Sequence, residues 1–127
     1  MSSNEGVVNA FIAEWSLPHP DAARLVSAYF TEDAVYQNMP SDPVHQGSDA
    51  ITKVLAGMSE RLESRGWQVL HQVGDGNIVM NERIDRFRSG DRMIDLPVMG
   101  IFELREGRIA AWRDYWDMAT WQRMLSA

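Results

Sequence analysis

The 127-residue sequence contains no cysteine and a single lysine, Lys53. Without cysteine there is no disulfide framework, no thiolate nucleophile and no thiolate-based metal site, and nothing points to an oxidising compartment. Basic charge is scarce as well: twelve Lys and Arg stand against eighteen Asp and Glu, a formal net charge of −6. Such a chain lacks the long-range field that gathers phosphate backbones or anionic lipid, so no nucleic-acid and no membrane partner is expected. All basic residues other than Lys53 are arginine, which favours planar, bidentate pairing over loosely hydrated point charge. His19, His45 and His71 fit neither HxxxH nor HExxH spacing, so no metal is expected. GxSxG and a glycine-rich phosphate loop are missing, which leaves an α/β-hydrolase nucleophile or a nucleotide cradle without support. The opening stretch MSSNEGVVNAFIAEW carries Glu5 and Glu14 among its apolar positions. It has neither the basic start nor the apolar run of a signal peptide or membrane span, so a cytoplasmic setting is expected.

What is present suffices for one core. Hydrophobic residues make up 45% of the chain and charged residues 24%, as in folded soluble proteins, and one domain over residues 1–127 is expected. Val7, Val8, Phe11, Ile12 and Trp15 recur at helical spacing until Pro18 and Pro20. Leu25, Val26, Tyr29 and Phe30 follow Asp21 in the same rhythm, predicting a second helix that stops near Thr31 to Asp33. Residues 34–39 alternate, with Ala34, Tyr36 and Asn38 on one strand face, and Pro40 and Pro43 then impose a loop. Ser48 or Asp49 is the expected cap of a third helix striped with Ile51, Val54, Leu55, Met58 and Leu62.

From Gly66 the period becomes two. Turn signals at residues 74–76, 89–91 and 106–107 divide the remainder into four strands, at roughly 67–73, 77–88, 92–104 and 107–117. These are expected to pair as an antiparallel meander, with residues 118–125 closing the chain as a short helix or turn. Helices followed by hairpin-linked strands indicate an α+β fold with helices on one face of a strongly bent sheet. The strand near 92–104 is apolar at both parities, Ile94, Leu96, Val98 and Phe102 against Met93, Met99 and Ile101. Both of its faces should therefore be covered, one by helices and the other by a second subunit, which predicts a homodimer.

The chemistry-bearing residues fall on two of these strands. Odd positions of 77–88 place Val79, Asn81, Arg83, Asp85 and Phe87 together, and even positions of 107–117 place Asp114 between Trp112 and Trp116. A carboxylate between two tryptophans is costly unless it is paired. Arg83 and Asp85 taken alone read as a solvated or structural ion pair. If Asp114 faces the same cavity, Arg83 becomes the counter-ion of both acids, and their repulsion separates their pKa values. One then holds a proton while the other is ionised, as an acid and a base acting together require. An Asp-Arg-Asp network that merely fixes strand register satisfies the same pattern. Tyr36 and Asn38 share a face and can hydrogen-bond a small molecule such as water, or simply border the sheet.

YQNMP at 36–40, ERID at 82–85 and WRDYWD at 112–117 together resemble the limonene-1,2-epoxide hydrolase family, and the likeness follows the element order over almost the whole chain. That resemblance implies the cone-shaped α+β architecture of nuclear transport factor 2, SnoaL-like cyclases and ketosteroid isomerase. Its sheet is strongly curved, mixed but mainly antiparallel, with helices packed on the concave side. The resemblance further implies a cofactor-independent, metal-free, one-step addition of water to a small apolar, cyclic or terpene-like epoxide, giving a vicinal diol. Asp114 would be the general base, Tyr36 and Asn38 would help it hold the attacking water, Asp85 would be the general acid, and Arg83 would orient both aspartates. Trp116 and residues 89–92 look like local variation. Met58, Leu62, Leu96, Val98 and Trp116 are candidates for the apolar wall holding the epoxide, although core packing explains them equally. The chemistry is coherent, because proton donation and attack by an aligned, activated water relieve a strained ring with a poor alkoxide leaving group in a single step.

Two other readings share the architecture. In an isomerase or cyclase, one Asp moves a proton on carbon while a neutral acid stabilises an enolate. Arg83 argues against this, since a cation beside an acid favours the ionised form. A noncatalytic binding or scaffold domain is the third reading. The doubly apolar strand carries its own prediction: the protein sediments as a dimer at micromolar concentration, and a monomeric mass would refute that expectation.

Overall fold

Ser3 accepts a hydrogen bond from the Gly6 backbone and so starts α1 (Asn4–Trp15) in a computed structural model, which describes residues 3–126. Met1, Ser2 and Ala127, the ends of the expected domain, lie outside the described residues. Asp21 caps α2 (Ala22–Tyr29) in the same way through the Arg24 amide. The apolar stripes of the two helices, Val8, Phe11, Ile12 and Trp15 with Leu25 and Val26, are buried together. α2 ends earlier than its hydrophobic rhythm suggests. Phe30 turns extended at φ −109° and ψ 155° and opens β1 (Phe30–Asn38), so residues 30–33 belong to a strand.

A two-residue strand β2 (His45–Gln46) follows the proline loop, and Gly47 at φ 92° turns the chain into α3 (Ser48–Arg61). Neither Ser48 nor Asp49 is the cap, because the left-handed turn is made one residue earlier and both lie inside the helix. The short β3 (Glu63–Ser64) then leads into β4 (Gln68–Asp75), β5 (Ile78–Ser89), β6 (Arg92–Arg105), β7 (Arg108–Tyr115) and α4 (Met118–Ser126). β2 and β3 are too short to show a period in the sequence.

Among the described residues the seven strands form one sheet, ordered β2-β1-β7-β6-β5-β3, with β4 also on β5. β4 to β7 make the expected antiparallel meander. β1, however, runs parallel to β7, joining the start of the sheet to its end. Register shifts between Phe30 and Val35, Val69 and His71, and Glu103 and Leu104 accompany the curl, since an extra residue on one side of a ladder bends it. No helix among the described residues is long and apolar enough to cross a membrane.

On β6 the even residues Ile94, Leu96, Val98, Phe102 and Leu104 are buried, while Met93 and Met99 are 57% and 45% exposed. Met80 and Tyr115 are likewise exposed. Within the single chain, then, the helices cover the even face of β6, as expected, and the odd face, which the sequence reading gives to a second subunit, is left open. The centre of the covered side is Trp112, stacked on Tyr36 at 4.4 Å and Phe102 at 5.4 Å, with Phe11 edge-on at 5.3 Å. Phe11 is fully buried and also meets the rings of Tyr29 and Phe30. Phe11→Ala should therefore cost about 3–5 kcal/mol. Urea denaturation would show this as a lower midpoint with an unchanged slope.

Candidate active site

Strand register alone brings the expected residues to one place. The parallel β1–β7 pairing sets Tyr36 beside Trp112 and Asn38 beside Asp114. Across β6, Asp114 pairs with Gly100, which pairs in turn with Asn81 of β5; Arg83 and Asp85 follow on the same inward face. Arg83 is completely buried and Asp85 and Asp114 are each 3% exposed, which removes the reading of a solvated ion pair. Its Nε donates to Asp85 Oδ1 at 2.9 Å, and Nη2 donates to Asp85 Oδ2 at 3.0 Å and to Asp114 Oδ2 at 2.7 Å. Nη1 donates to Asn81 Oδ1 at 2.9 Å. The Trp112 indole holds the remaining Asp114 oxygen, Oδ1, at 2.7 Å, and the Trp67 ring lies 5.1 Å from the guanidinium carbon. One cation thus grips both carboxylates, and neutral donors and acceptors complete the shell.

Burial alone would lower the Arg83 pKa, but the charges of Asp114 and Asp85 and their hydrogen bonds raise it further above its usual range, so it is a permanent cation. Asp85 behaves differently. Burial pushes its pKa up to about 6, more than the attraction and hydrogen bonds of Arg83 pull it down, and repulsion from Asp114 adds to the rise. Arg83 does favour the ionised form of this acid, as the sequence reading has it, but desolvation is the larger effect and the net shift is upward. Burial, followed by the nearby charge of Asp114, also raises the Tyr36 phenol, which stays protonated and able to donate. Asn38 donates to Tyr36 Oη at 2.9 Å and accepts from the Trp116 indole at 3.1 Å.

Asp85, Asp114, Tyr36 and Asn38 line a cavity of about 420 Å³. All five residues expected in its apolar wall, Met58, Leu62, Leu96, Val98 and Trp116, line it too. Leu96 and Val98 also belong to the buried core, so packing and pocket readings hold together there. Among the described residues no group of three or more His, Asp or Glu side chains is arranged to hold a metal ion.

Residues 2–127 match the family model of the limonene-1,2-epoxide hydrolase catalytic domain. The chain belongs to that family. It is 34% identical over 96 residues to epoxide hydrolase EphG of Mycobacterium tuberculosis, a match covering 73% of this chain and 61% of that relative. The structure of an M. tuberculosis limonene-epoxide-hydrolase-like epoxide hydrolase is similar with a TM-score of 0.75 at 28% identity, over 94% of this chain and 87% of that one. A SnoaL-like polyketide cyclase from Jannaschia sp. CCS1 superposes with a TM-score of 0.83 at 16% identity, over 98% and 92% of the two chains, and shares the fold. The expected α+β, NTF2-like and SnoaL-like architecture is the one observed.

Several parts of this candidate site were not singled out in the sequence. Asn81 shares the odd face of β5 with Arg83, and Trp112 lies in phase with Asp114. Both signals were visible, but neither hydrogen bond follows from spacing. Trp121 and Leu125, four apart on α4, line the cavity together with Trp67 and Phe87.

Asp85 also links the site to stability. Its folded value near 6 lies above an unfolded value of about 3.9, so its contribution is fully present below the lower value and disappears as pH rises through the higher one. Between pH 4 and pH 7, wild type should lose on the order of 2–3 kcal/mol relative to Asp85→Asn. Urea unfolding at both pH values checks this; a constant gap between the two proteins would contradict it.

Proposed function

We propose that this protein hydrolyses small, mainly apolar epoxides to vicinal diols in one step, by general acid/base catalysis without a covalent intermediate. The observation that carries the reading is a single buried guanidinium joining two carboxylates at the wall of an apolar cavity, one of them, Asp85, with a raised pKa. Asp114 is the base: held by Arg83 and Trp112, it takes a proton from a water positioned by Asn38 and Tyr36. The water oxygen attacks a ring carbon from the side opposite the breaking carbon–oxygen bond. As that bond breaks, Asp85 gives its proton to the epoxide oxygen. Asp114 then holds a proton and Asp85 is ionised, and return of the proton resets the pair. Met58, Leu62, Leu96, Val98 and Trp116 hold the hydrocarbon portion. Neither metal nor cofactor enters the scheme. A second copy of the chain is the natural cover for the outer face bearing Met80, Met93, Met99 and Tyr115, and a cytoplasmic setting suits the cysteine-free sequence.

A second reading is favoured by one observation. The raised pKa of Asp85 also supplies the neutral acid that an isomerase needs beside an enolate. Incubation with cyclohexene oxide and with a steroid enone separates the two, since only the oxide is consumed by a hydrolase.

General acid or base catalysis contributes about 10²–10⁴-fold, so Asp114→Asn and Asp85→Asn should each reduce diol formation by that order while leaving the fold intact. Near-normal turnover in either variant would refute the roles. The wild-type kcat/KM should fall as pH rises through about 6, when Asp85 loses its proton. Single turnover in heavy-oxygen water should place label in the diol, whereas label in an aspartate would demand an ester intermediate.

A further inference from the structure

We infer that Gly100 is a positioning residue of this site: the side-chain space it leaves empty on β6 is what lets Arg83 reach across that strand and hold Asp114. This rests on the proposed hydrolase reading for its kinetic consequence, though not for its geometry.

Asn81, Gly100 and Asp114 are register partners in one row across β5, β6 and β7. Neighbouring strands lie about 4.8 Å apart, so the outer two members of the row are separated by roughly 10 Å, and the middle residue projects between them. Arg83 comes from the next row, opposite Val98, and leans diagonally into this gap, where its guanidinium meets Asn81 on one side and Asp114 on the other. A Cβ at position 100 would overlap Nη1 of Arg83 outright, and would stand 2.7 Å from Asp114 Oδ1 and 3.1 Å from Asn81 Oδ1.

Backbone conformation does not explain this glycine. Gly47, Gly66, Gly76, Gly90 and Gly107 have positive φ, but Gly100 is not among them and sits in a regular ladder any residue can adopt. A glycine inside a strand weakens it, so the position is occupied at a cost in stability. Nor can the neighbours yield. A Cβ at Gly74 would also clash, with Glu5, but that side chain is exposed and swings away. At Gly100 the obstructed atoms belong to buried side chains held by one another.

The test is a double-mutant cycle between Gly100→Ala and Arg83→Gln, whose shorter side chain does not span the gap. In the wild-type background, Gly100→Ala should lower kcat for epoxide hydrolysis at least about 100-fold with KM changed less than about threefold, because the apolar wall is untouched. It should also lower the melting temperature by about 5 °C or more. In the Arg83→Gln background the same change should alter residual activity less than about threefold and should not lower the melting temperature further. A crystal structure of Gly100→Ala should show the Arg83–Asp114 contact broken. Losses that add in the double variant, or a Gly100→Ala protein with more than a third of wild-type kcat and the contact intact, would overturn the inference. If the wild type hydrolyses no epoxide, the hydrolase reading fails, while the melting temperatures and the variant structure still decide the role of Gly100.

Discussion

The site depends on a guanidinium buried to zero exposure between two carboxylates. Moving charges out of water is expensive, and their attraction offsets that cost only if the geometry is good and every remaining donor and acceptor is met. The shell around Arg83 comes close to that condition, with a partner at each of the three guanidinium nitrogens. Nε and Nη2 serve Asp85, Nη2 also serves Asp114, and Nη1 serves Asn81. The Trp112 indole satisfies Asp114 from the core side. Arginine suits this task because its fork is planar and its charge cannot be titrated away.

Burial explains how one cation supports two different acids. Asp85 is desolvated strongly enough that its proton stays on to a higher pH than in water, despite two hydrogen bonds from Arg83. A carboxyl group still about half protonated near pH 6 has a proton available at a pH where an ordinary carboxylate has lost it. Structural support and reactivity are therefore linked through the same low-dielectric surroundings. Rigidity follows as well: Trp112 belongs to the central aromatic stack and at the same time holds Asp114, so the packing that stabilises the fold also orients this carboxylate.

Topology supplies the remaining partners. The parallel pairing of β1 with β7 lays Tyr36 and Asn38 alongside Trp112 and Asp114, although almost eighty residues separate them in the chain. α4 then adds Trp121 and Leu125 to the lining of the cavity. The polar cluster and its apolar surroundings thus come from six elements, β1, α3, β5, β6, β7 and α4, and the curl of the sheet is what makes them converge.

Much of this was legible in order. Alternation along β5 and β7 placed Arg83, Asp85 and Asp114 on inward faces, and glycine turns at Gly76, Gly90 and Gly107 marked the hairpins, because side-chain parity and positive φ are local properties. The absence of cysteine and the acidic balance were equally plain. Three things belong to the tertiary structure alone. The parallel β1–β7 contact is a choice of distant partner on which period two is silent. The empty space at Gly100 has meaning only once Arg83 and Asp114 are known to face each other across it. The raised pKa of Asp85 reflects how completely water is removed by residues from several strands and helices, a quantity no neighbouring residue in sequence can report.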